Sequence, residues 1–292
     1  MIARHVGLGA LLLAVAATPA TAQSWRTLTA QRAVGREDSL HVVVRYGLGK
    51  LTVRAAEPAV LYDLDMKYDA DVFRAEKRYD AATRTLYVGA DSATADRLTL
   101  RPHNIHGSGE KGRKGGEMTL ALARGIPLDL TVELGIGYAS IDLGDLWLDR
   151  ARFESAMGGA EIDFATANIH PMRELDIDAA LSGVTVGHLG NARAQRVKVT
   201  AALAGGELDL RGAWTGEMTL DLTATLGGFE LKVPSDAGVR ITASSKLGGI
   251  DAKGYTLRDG TYYSANYATA KRKLTITGSA TLGGLEVNWV EP

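Results

Sequence analysis

Carboxylate side chains recur at one fixed place of a repeated motif in this sequence. The segments AALAGGELDL, TATLGGFELKV, SSKLGGIDAK and SATLGGLEVNW each carry an acid four places after the apolar residue that precedes a glycine corner. These acids are Glu207, Glu230, Asp251 and Glu286. Because Ca²⁺ prefers oxygen ligands, the row predicts a weak calcium-binding face. The alternative is a solvated edge whose like charges are relieved by Lys232 and Lys253, two places further along each strand.

A second group of candidate residues falls in the polar segment RPHNIHGSGEKGRKGG, residues 101–116. The partner-binding candidates in this segment are His103, His106, Lys111, Arg113 and Lys114. Binding often occurs on long polar loops, and this basic charge suits an envelope protein or an anionic envelope polymer as partner. The alternative is an excursion that only connects two modules. The two histidines have no third ligand placed to complete a metal site.

Catalytic patterns are weak throughout the chain. Asp63 with Asp65, and Asp176 with Asp178, share a strand face as paired carboxylates of a glycosidase would, but on outward faces rather than in a cleft. The segment GLGKLT imitates part of a phosphate-binding loop, yet it lacks the upstream glycine and a strand pattern follows it. We therefore predict no catalytic residue and no bound cofactor beyond the calcium hypothesis.

The elements that must position these residues repeat along the chain. We call the apolar residue before each glycine corner a marker, and from the second marker to the seventh they recur about every 22 residues, a spacing typical of a solenoid or array. The markers are Leu48, Ile136, Met157, Leu181, Leu203, Leu226, Leu247 and Leu282. Apolar residues alternate on both sides of each marker, which predicts a strand, a glycine corner and a second strand. The glycines have a structural explanation, because a sharp bend requires φ > 0.

Two topologies fit this pattern, a meander of hairpins and a parallel β-solenoid. Five places before the marker, successive repeats carry Arg152, Asp176, Lys198 and Asp221, which alternate in sign. On adjacent parallel strands these side chains are neighbours about 4.8 Å apart, where opposite charges attract. We therefore predict an all-β, parallel and right-handed β-solenoid with coils of about 22 residues and an N-terminal β module.

Composition bounds the location and the partners. The chain has 292 residues, a formal net charge of −1 and no cysteine, so neither disulfides nor nucleic-acid binding is indicated. Residues 1–22 show a secretory pattern of basic, apolar and small residues, and we expect a cleaved signal peptide and no later membrane span. The predicted organisation continues with a β module at 28–101, a polar loop at 102–117 and the main solenoid at 118–292, with a capping hairpin near 255–275.

Several of these motifs occur together in a known family. The GNA turn, the repeated LGG corner, the VPSDAGVRI crossing and the GTYYSANY hairpin before LTI resemble the toast-rack family of bacterial envelope proteins, related to LiaF-type cell-wall-antibiotic response proteins and adhesin-like β-solenoids. Upstream, VRYGLGKLTVRA resembles the N-terminal module of that family. The resemblance covers nearly all of the chain after residue 22 and implies an all-β solenoid in the cell envelope without catalytic residues.

The functional expectation follows from the repeat and the resemblance together. LiaF-type proteins usually carry membrane helices ahead of the solenoid, whereas this chain shows only the secretory pattern, which favours a free periplasmic, secreted or surface domain. We expect a non-enzymatic exported protein that binds a partner or senses envelope stress. An adhesin-like surface protein is the alternative, and an enzyme acting on envelope polysaccharide is the remaining one.

Overall fold

The computed structural model describes residues 23–92, 114–203 and 205–292. Its strands are β1 (Trp25–Ala33), β2 (Leu40–Ala55), β3 (Val60–Asp69), β4 (Phe73–Asp80), β5 (Thr85–Ser92), β6 (Gly116–Leu122), β7 (Pro127–Asp142), β8 (Trp147–Asp163), β9 (Glu174–Gly187), β10 (Arg196–Leu203), β11 (Gly206–Asp209), β12 (Glu217–Leu226), β13 (Phe229–Pro234), β14 (Gly238–Leu247), β15 (Ile250–Asp251), β16 (Thr256–Arg258), β17 (Thr261–Tyr263), β18 (Lys273–Leu282) and β19 (Leu285–Val290). A 3₁₀ turn covers Leu189–Ala192. The described residues contain no helix long and apolar enough to cross a bilayer.

The strands form two parallel columns, one on each side of the glycine corners. Before the corner, the neighbours are β5, β2, β7, β8, β9, β10, β12, β18 and β14, and every pair in this series is parallel. After the corner, every neighbouring pair is again parallel, in the order β6, β2, β7, β8, β9, β11, β13, β19 and β15. The prediction of a parallel β-solenoid is confirmed, and the hairpin meander is excluded.

The last repeat departs from the order that the sequence suggests. Leu226 pairs with Leu282, and Leu282 pairs with Leu247, so β18 and β19 lie between two coils that precede them in the chain. The hairpin of β16 and β17 explains this order, because β17 pairs antiparallel with β14 on its other edge. When the chain returns from this hairpin, β18 therefore pairs with the edge of β14 that faces β12.

The two ends of the solenoid are covered by antiparallel strands. At one end β4 pairs with β5, β3 pairs with β6, and β1 pairs with β3. At the other end the short strand β17 covers Arg240 and Ile241 of β14. Such covering matters because an open strand edge exposes unpaired backbone groups.

A single apolar core runs the length of the stack between the two columns. Leu222 before the corner is 4% exposed, and Leu231 after it is 0% exposed, so both strands of one coil contribute to this core. Burying each such side chain stabilises the fold by about 1.5–3 kcal/mol. Stacked apolar rows thus supply the stability that disulfides cannot supply in a chain without cysteine.

The corners use their two glycine places differently. Positive φ occurs at the first place, as at Gly283 with φ of 136°, where an added Cβ would lie 1.7 Å from the carbonyl oxygen of Gly227. At the second place φ lies outside the left-handed region, and at Gly228 the restriction comes from the carbonyl oxygen of Gly284, 2.7 Å from the added Cβ. The sequence pattern alone does not show whether a corner glycine is required by its positive φ or by the close approach of a neighbouring coil.

Candidate binding surface along the glycine corners

The four acids of the repeated motif lie side by side on the outward face after the corner. Their spatial order is Glu207, Glu230, Glu286 and Asp251, because the coil of Glu286 is inserted before that of Asp251. Neighbouring parallel strands are about 4.8 Å apart, so the carboxylates form a continuous row. We call these residues the acidic row.

The two ends of the acidic row form ion pairs with lysines, whereas among the described residues its two central glutamates form none. Glu207 is ion-paired with Lys232, and this hydrogen bond raises the pKa of the lysine amine. Lys253 Nζ lies 2.9 Å from Asp251 Oδ2.

At the centre, Asn288 Nδ2 donates to Glu230 Oε1 and to Glu286 Oε1, each at 3.1 Å. Within the described part of the chain, no basic side chain forms an ion pair with either glutamate. Asn288 is thus the hydrogen-bond partner of both central carboxylates, while Lys232 and Lys253 act on Glu230 and Glu286 at longer range, without an ion pair.

Metal binding gains no support from this arrangement. Across residues 23–92, 114–203 and 205–292, no group of three or more histidine, aspartate or glutamate side chains is placed to hold a metal ion. Relief by Lys232 and Lys253, the second interpretation of the row, is what the contacts show. The calcium hypothesis for Glu207, Glu230, Asp251 and Glu286 stays a prediction.

A shallow groove of about 570 Å³ runs beside the acidic row. Its lining includes the glycines of the second corner place and three carboxylates of the row: Gly228, Gly249, Gly284, Glu230, Asp251 and Glu286. Because glycine has no side chain, the bottom of the groove is open to the backbone of the corners. We call it the corner groove.

The markers form an exposed apolar row along the corners, which we call the corner ridge. Its members in spatial order are Leu48, Ile136, Met157, Leu181, Leu203, Leu226, Leu282 and Leu247. From Met157 onward the exposed fraction lies between 36% at Leu181 and 66% at Leu247, and Leu48 and Ile136 are half-buried. Eight strands at this spacing give a ridge roughly 34 Å long. Contiguous exposed apolar rows of this kind mark interaction sites in soluble proteins.

Three different rows run side by side over the last four coils. Three places before the leucines are hydroxyl side chains, and four places after them are the acids of the acidic row. The hydroxyl row consists of Thr200, Thr223, Ser279 and Ser244, paired in register. The ridge in this region thus has a hydroxyl flank on one side, where the exposed Lys246 precedes Leu247, and an anionic flank on the other.

Sequence reasoning missed the corner ridge as a surface. The markers have the same two-residue spacing as the core positions, which favours burial. Ala224 is indeed 3% exposed, while Leu226, two places later, is 40% exposed because the chain turns at the next residue. The signal that could have found the ridge is the presence of a large apolar residue at every corner, where a glycine bend needs none.

The outward face before the corner carries the charge alternation that the sequence predicts. Arg152 Nη1 lies 3.1 Å from Asp176 Oδ2, and Lys198 Nζ lies 3.7 Å from Asp176 Oδ1. A cleft of about 330 Å³ on this face is lined by charged residues of both signs, among them His41 and Asp129, whose side chains are 3.3 Å apart. Because these charges pair among themselves, the face is not our candidate site.

The polar-loop candidates lie mostly outside the described residues. His103, His106, Lys111 and Arg113 belong to the range 93–113, which the structure does not describe. Lys114 is described and exposed, and its backbone N–H and carbonyl bond to the side chain of Gln23 at 3.1 Å each. The predicted signal peptide, residues 1–22, also lies outside the described residues.

The late tyrosines pack against their own end of the solenoid. Tyr255 stacks on Trp289 with ring centroids 4.8 Å apart, and Tyr263 meets Tyr267 edge to face at 5.4 Å. Burial raises the pKa of Tyr255. These contacts are those of a hydrophobic end cover, in which aromatic pairs contribute beyond their buried area.

Comparisons with solved structures found proteins of similar chain length. The chain is similar to a putative cell adhesion protein from Clostridium sporogenes, with 16% identity over 91% of this chain and 100% of that chain and a TM-score of 0.44. It is also similar to putative adhesins from Bacteroides fragilis, with 10% identity over 90% and 97% and a TM-score of 0.37, and from Parabacteroides merdae, with 9% identity over 91% and 97% and a TM-score of 0.32.

A comparison with curated proteins found no match. A family model described as the N-terminal domain of toast_rack, DUF2154, matches residues 21–186, which is more than half of the chain. The parallel solenoid and its glycine corners agree with the resemblance found in the sequence. The chain belongs to the toast-rack family.

Proposed function

We propose that this chain is a non-catalytic, exported protein of the cell envelope that binds an elongated partner along the corner ridge. The observation that carries the proposal is the exposure of in-register leucines that the core does not need. Full burial of an apolar side chain of this size is worth about 1.5–3 kcal/mol, and leucines that are 36–66% exposed forfeit part of it. A binding role accounts for a row of such side chains more directly than folding does.

Export is supported by the secretory pattern of residues 1–22. A free domain in the periplasm or at the cell surface would present the ridge to soluble or surface-bound partners. The straight stack suits an elongated partner, because its contact residues repeat about every 4.8 Å.

Capture of a partner from envelope extract tests the proposal. The purified protein is compared with a variant in which Leu203, Leu226 and Leu282 are changed to serine, and captured proteins and polymers are quantified. We expect at least a tenfold loss of the captured partner while the variant keeps a cooperative thermal unfolding transition. The control is Leu257→Ser, which alters a leucine that is 57% exposed but lies off the ridge on β16. Equal capture by the ridge variant and the unmodified protein would refute the proposal.

A further inference from the structure

The ridge has an asymmetry of charge that restricts its partner. Over the last four coils, the hydroxyl row on one flank is uncharged, whereas the acidic row on the other carries Glu230 and Glu286 without an ion-pair partner among the described residues. Glu230 and Glu286 are direct neighbours on parallel strands, where like charges repel. A cation brought to this position would relieve the repulsion.

From this asymmetry, and resting on the proposed function, we propose that the corner ridge docks a basic amphipathic helix of a partner protein. The helix would place an apolar seam on Leu203, Leu226, Leu282 and Leu247. Lysine or arginine side chains on one flank would then cross the corner groove toward Glu230 and Glu286.

Dimensions agree with a helix as the occupant. The four leucines span three strand spacings, roughly 14 Å, which corresponds to between two and three helical turns. Residues three and four apart on a helix lie about 5–6 Å from one another, close to the strand spacing of the ridge. A short helix can therefore present one side chain to each coil.

The corner groove provides for long basic side chains. Its bottom is formed by glycines such as Gly228 and Gly284, and Glu230 and Glu286 stand at its margin. Lysine and arginine can lay an aliphatic stem along such an apolar surface while the charged group remains near a carboxylate. Charge complementarity of this kind also fixes the orientation of the bound helix.

Two other occupants fit the surface less well. An anionic lipid surface would be repelled by the acidic row. A second copy of this chain would have to present a segment with basic side chains beside an apolar row. Over these four coils the described ridge has the hydroxyl and acidic flanks, with one lysine, Lys246, beside Leu247. Both occupants are outcomes of the test.

The test uses a synthetic helical peptide of 14 residues with leucines in an i, i+3, i+4, i+7 seam and lysines on one flank. Binding to the full protein is measured by fluorescence anisotropy at low and high salt. We expect saturable binding that weakens at least tenfold at high salt. A peptide with glutamate in place of each lysine, and a scrambled peptide of the same composition, should not bind.

Variants of the protein separate the two parts of the surface. We expect the pair Glu230→Gln and Glu286→Gln to weaken binding at least tenfold, and Leu226→Ser with Leu282→Ser to do the same. The matched control neutralises two exposed acids elsewhere, Glu57→Gln and Glu217→Gln, and should leave binding unchanged. Thermal unfolding of each variant shows that the fold is retained.

Several results would overturn this inference. One is equal peptide binding by the Glu230→Gln, Glu286→Gln variant and the Glu57→Gln, Glu217→Gln control. Another is binding to anionic phosphatidylglycerol vesicles in place of the peptide. Self-association that is lost in the leucine variant would assign the ridge to a second copy of the chain. If ridge variants lose the partner captured from envelope extract while the lysine peptide does not bind, the proposed function stands and the helix inference fails.

Discussion

Arg152 and Asp176 are 24 residues apart in the sequence, yet Arg152 Nη1 lies 3.1 Å from Asp176 Oδ2. They occupy the same place of successive coils and are direct partners in the pairing of β8 with β9. Lys198 continues the row from the next coil, 3.7 Å from the other carboxylate oxygen. The same relationship recurs throughout the fold, because side chains at one place of a coil contact those at the same place of the coils on either side.

The Arg152 and Asp176 pair should show a small, salt-sensitive coupling energy. In a double-mutant cycle with Arg152→Ala and Asp176→Ala, we expect about 0.2–1 kcal/mol of coupling from urea unfolding, because both groups are partly solvated. The coupling should fade at about 1 M salt. Arg54→Ala in place of Arg152→Ala is the distant control. Coupling no larger than in that control would contradict the prediction.

Neutralising Asp178 should stabilise the protein at neutral pH. Partial desolvation of the surface carboxylate raises the pKa of Asp178, repulsion from Glu154 and Asp176 raises it further, and Arg152 and Lys198 only partly offset the increase. A pKa that is higher in the folded state means that the ionised form weakens folding above that pKa, and protonation removes the penalty as pH falls through it. Asp178→Asn should therefore raise stability at pH 7 by a few tenths of a kcal/mol, since the side chain is exposed to screening solvent.

The gain from Asp178→Asn should shrink as pH falls from about 7 toward 4, near the ordinary pKa of aspartate. Unfolding curves of both proteins across this range measure it. A gain that stays constant with pH would show that ionisation is not its cause.

Gly283 and Gly249, at the first and second places of their corners, should differ in their response to alanine. Gly283→Ala combines a positive φ with a Cβ 1.7 Å from a carbonyl oxygen, and we expect a loss of at least about 2 kcal/mol. Gly249→Ala has no heavy atom within 4 Å of the added Cβ and no left-handed φ, so it should be nearly neutral. Denaturant midpoints of the two variants provide the measurement, and similar losses would contradict the corner geometry.

Leucines of the core and of the ridge should differ in their importance for folding. Leu231 is 0% exposed, and Leu231→Ala should cost about 2–5 kcal/mol through a cavity in the core. Leu226 is 40% exposed, and Leu226→Ala should cost less than about 1 kcal/mol. If both losses were large, the ridge would be part of the stabilising core rather than a surface reserved for a partner.

Calcium should leave the melting temperature unchanged. Glu207 and Asp251 already have lysine partners, and Asn288 contacts both central acids. Melting curves with millimolar calcium or with chelator test this expectation. A calcium-dependent increase that is lost in Glu230→Gln with Glu286→Gln would instead support the calcium hypothesis.

Most of the fold follows from local patterns in the sequence. The alternation around each marker predicts the strands, and the signs at Arg152, Asp176, Lys198 and Asp221 predict their parallel stacking. Those signals are sufficient because register in a sheet is set by which face is buried and by which side chains meet across strands.

The order of the last coils could not be predicted in this way. Leu247 and Leu282 head repeats with the same pattern, so each fits either position beside Leu226. The choice depends on which edge of β14 the hairpin of β16 and β17 covers, and that is a tertiary contact without a local signature.

The candidate surface was predictable only in part. Glu207, Glu230, Asp251 and Glu286 stand out by their spacing, and the structure places them in one row. The exposure of Leu226 and its equivalents was not predictable, because two-residue spacing does not say where the core ends. The polar-loop residues from His103 to Arg113 remain predictions.

The position of β18 and β19 imposes a sequence of events on the emerging polypeptide. Among the described strands, β14 and β15 meet the rest of the stack only through β18 and β19, which are synthesised after them. Residues 238–251 therefore reach their final pairing only once residues 273–290 are available to lie between them and the stack. We expect the last two coils to join the stack together, after Pro234 and the coils before it have formed.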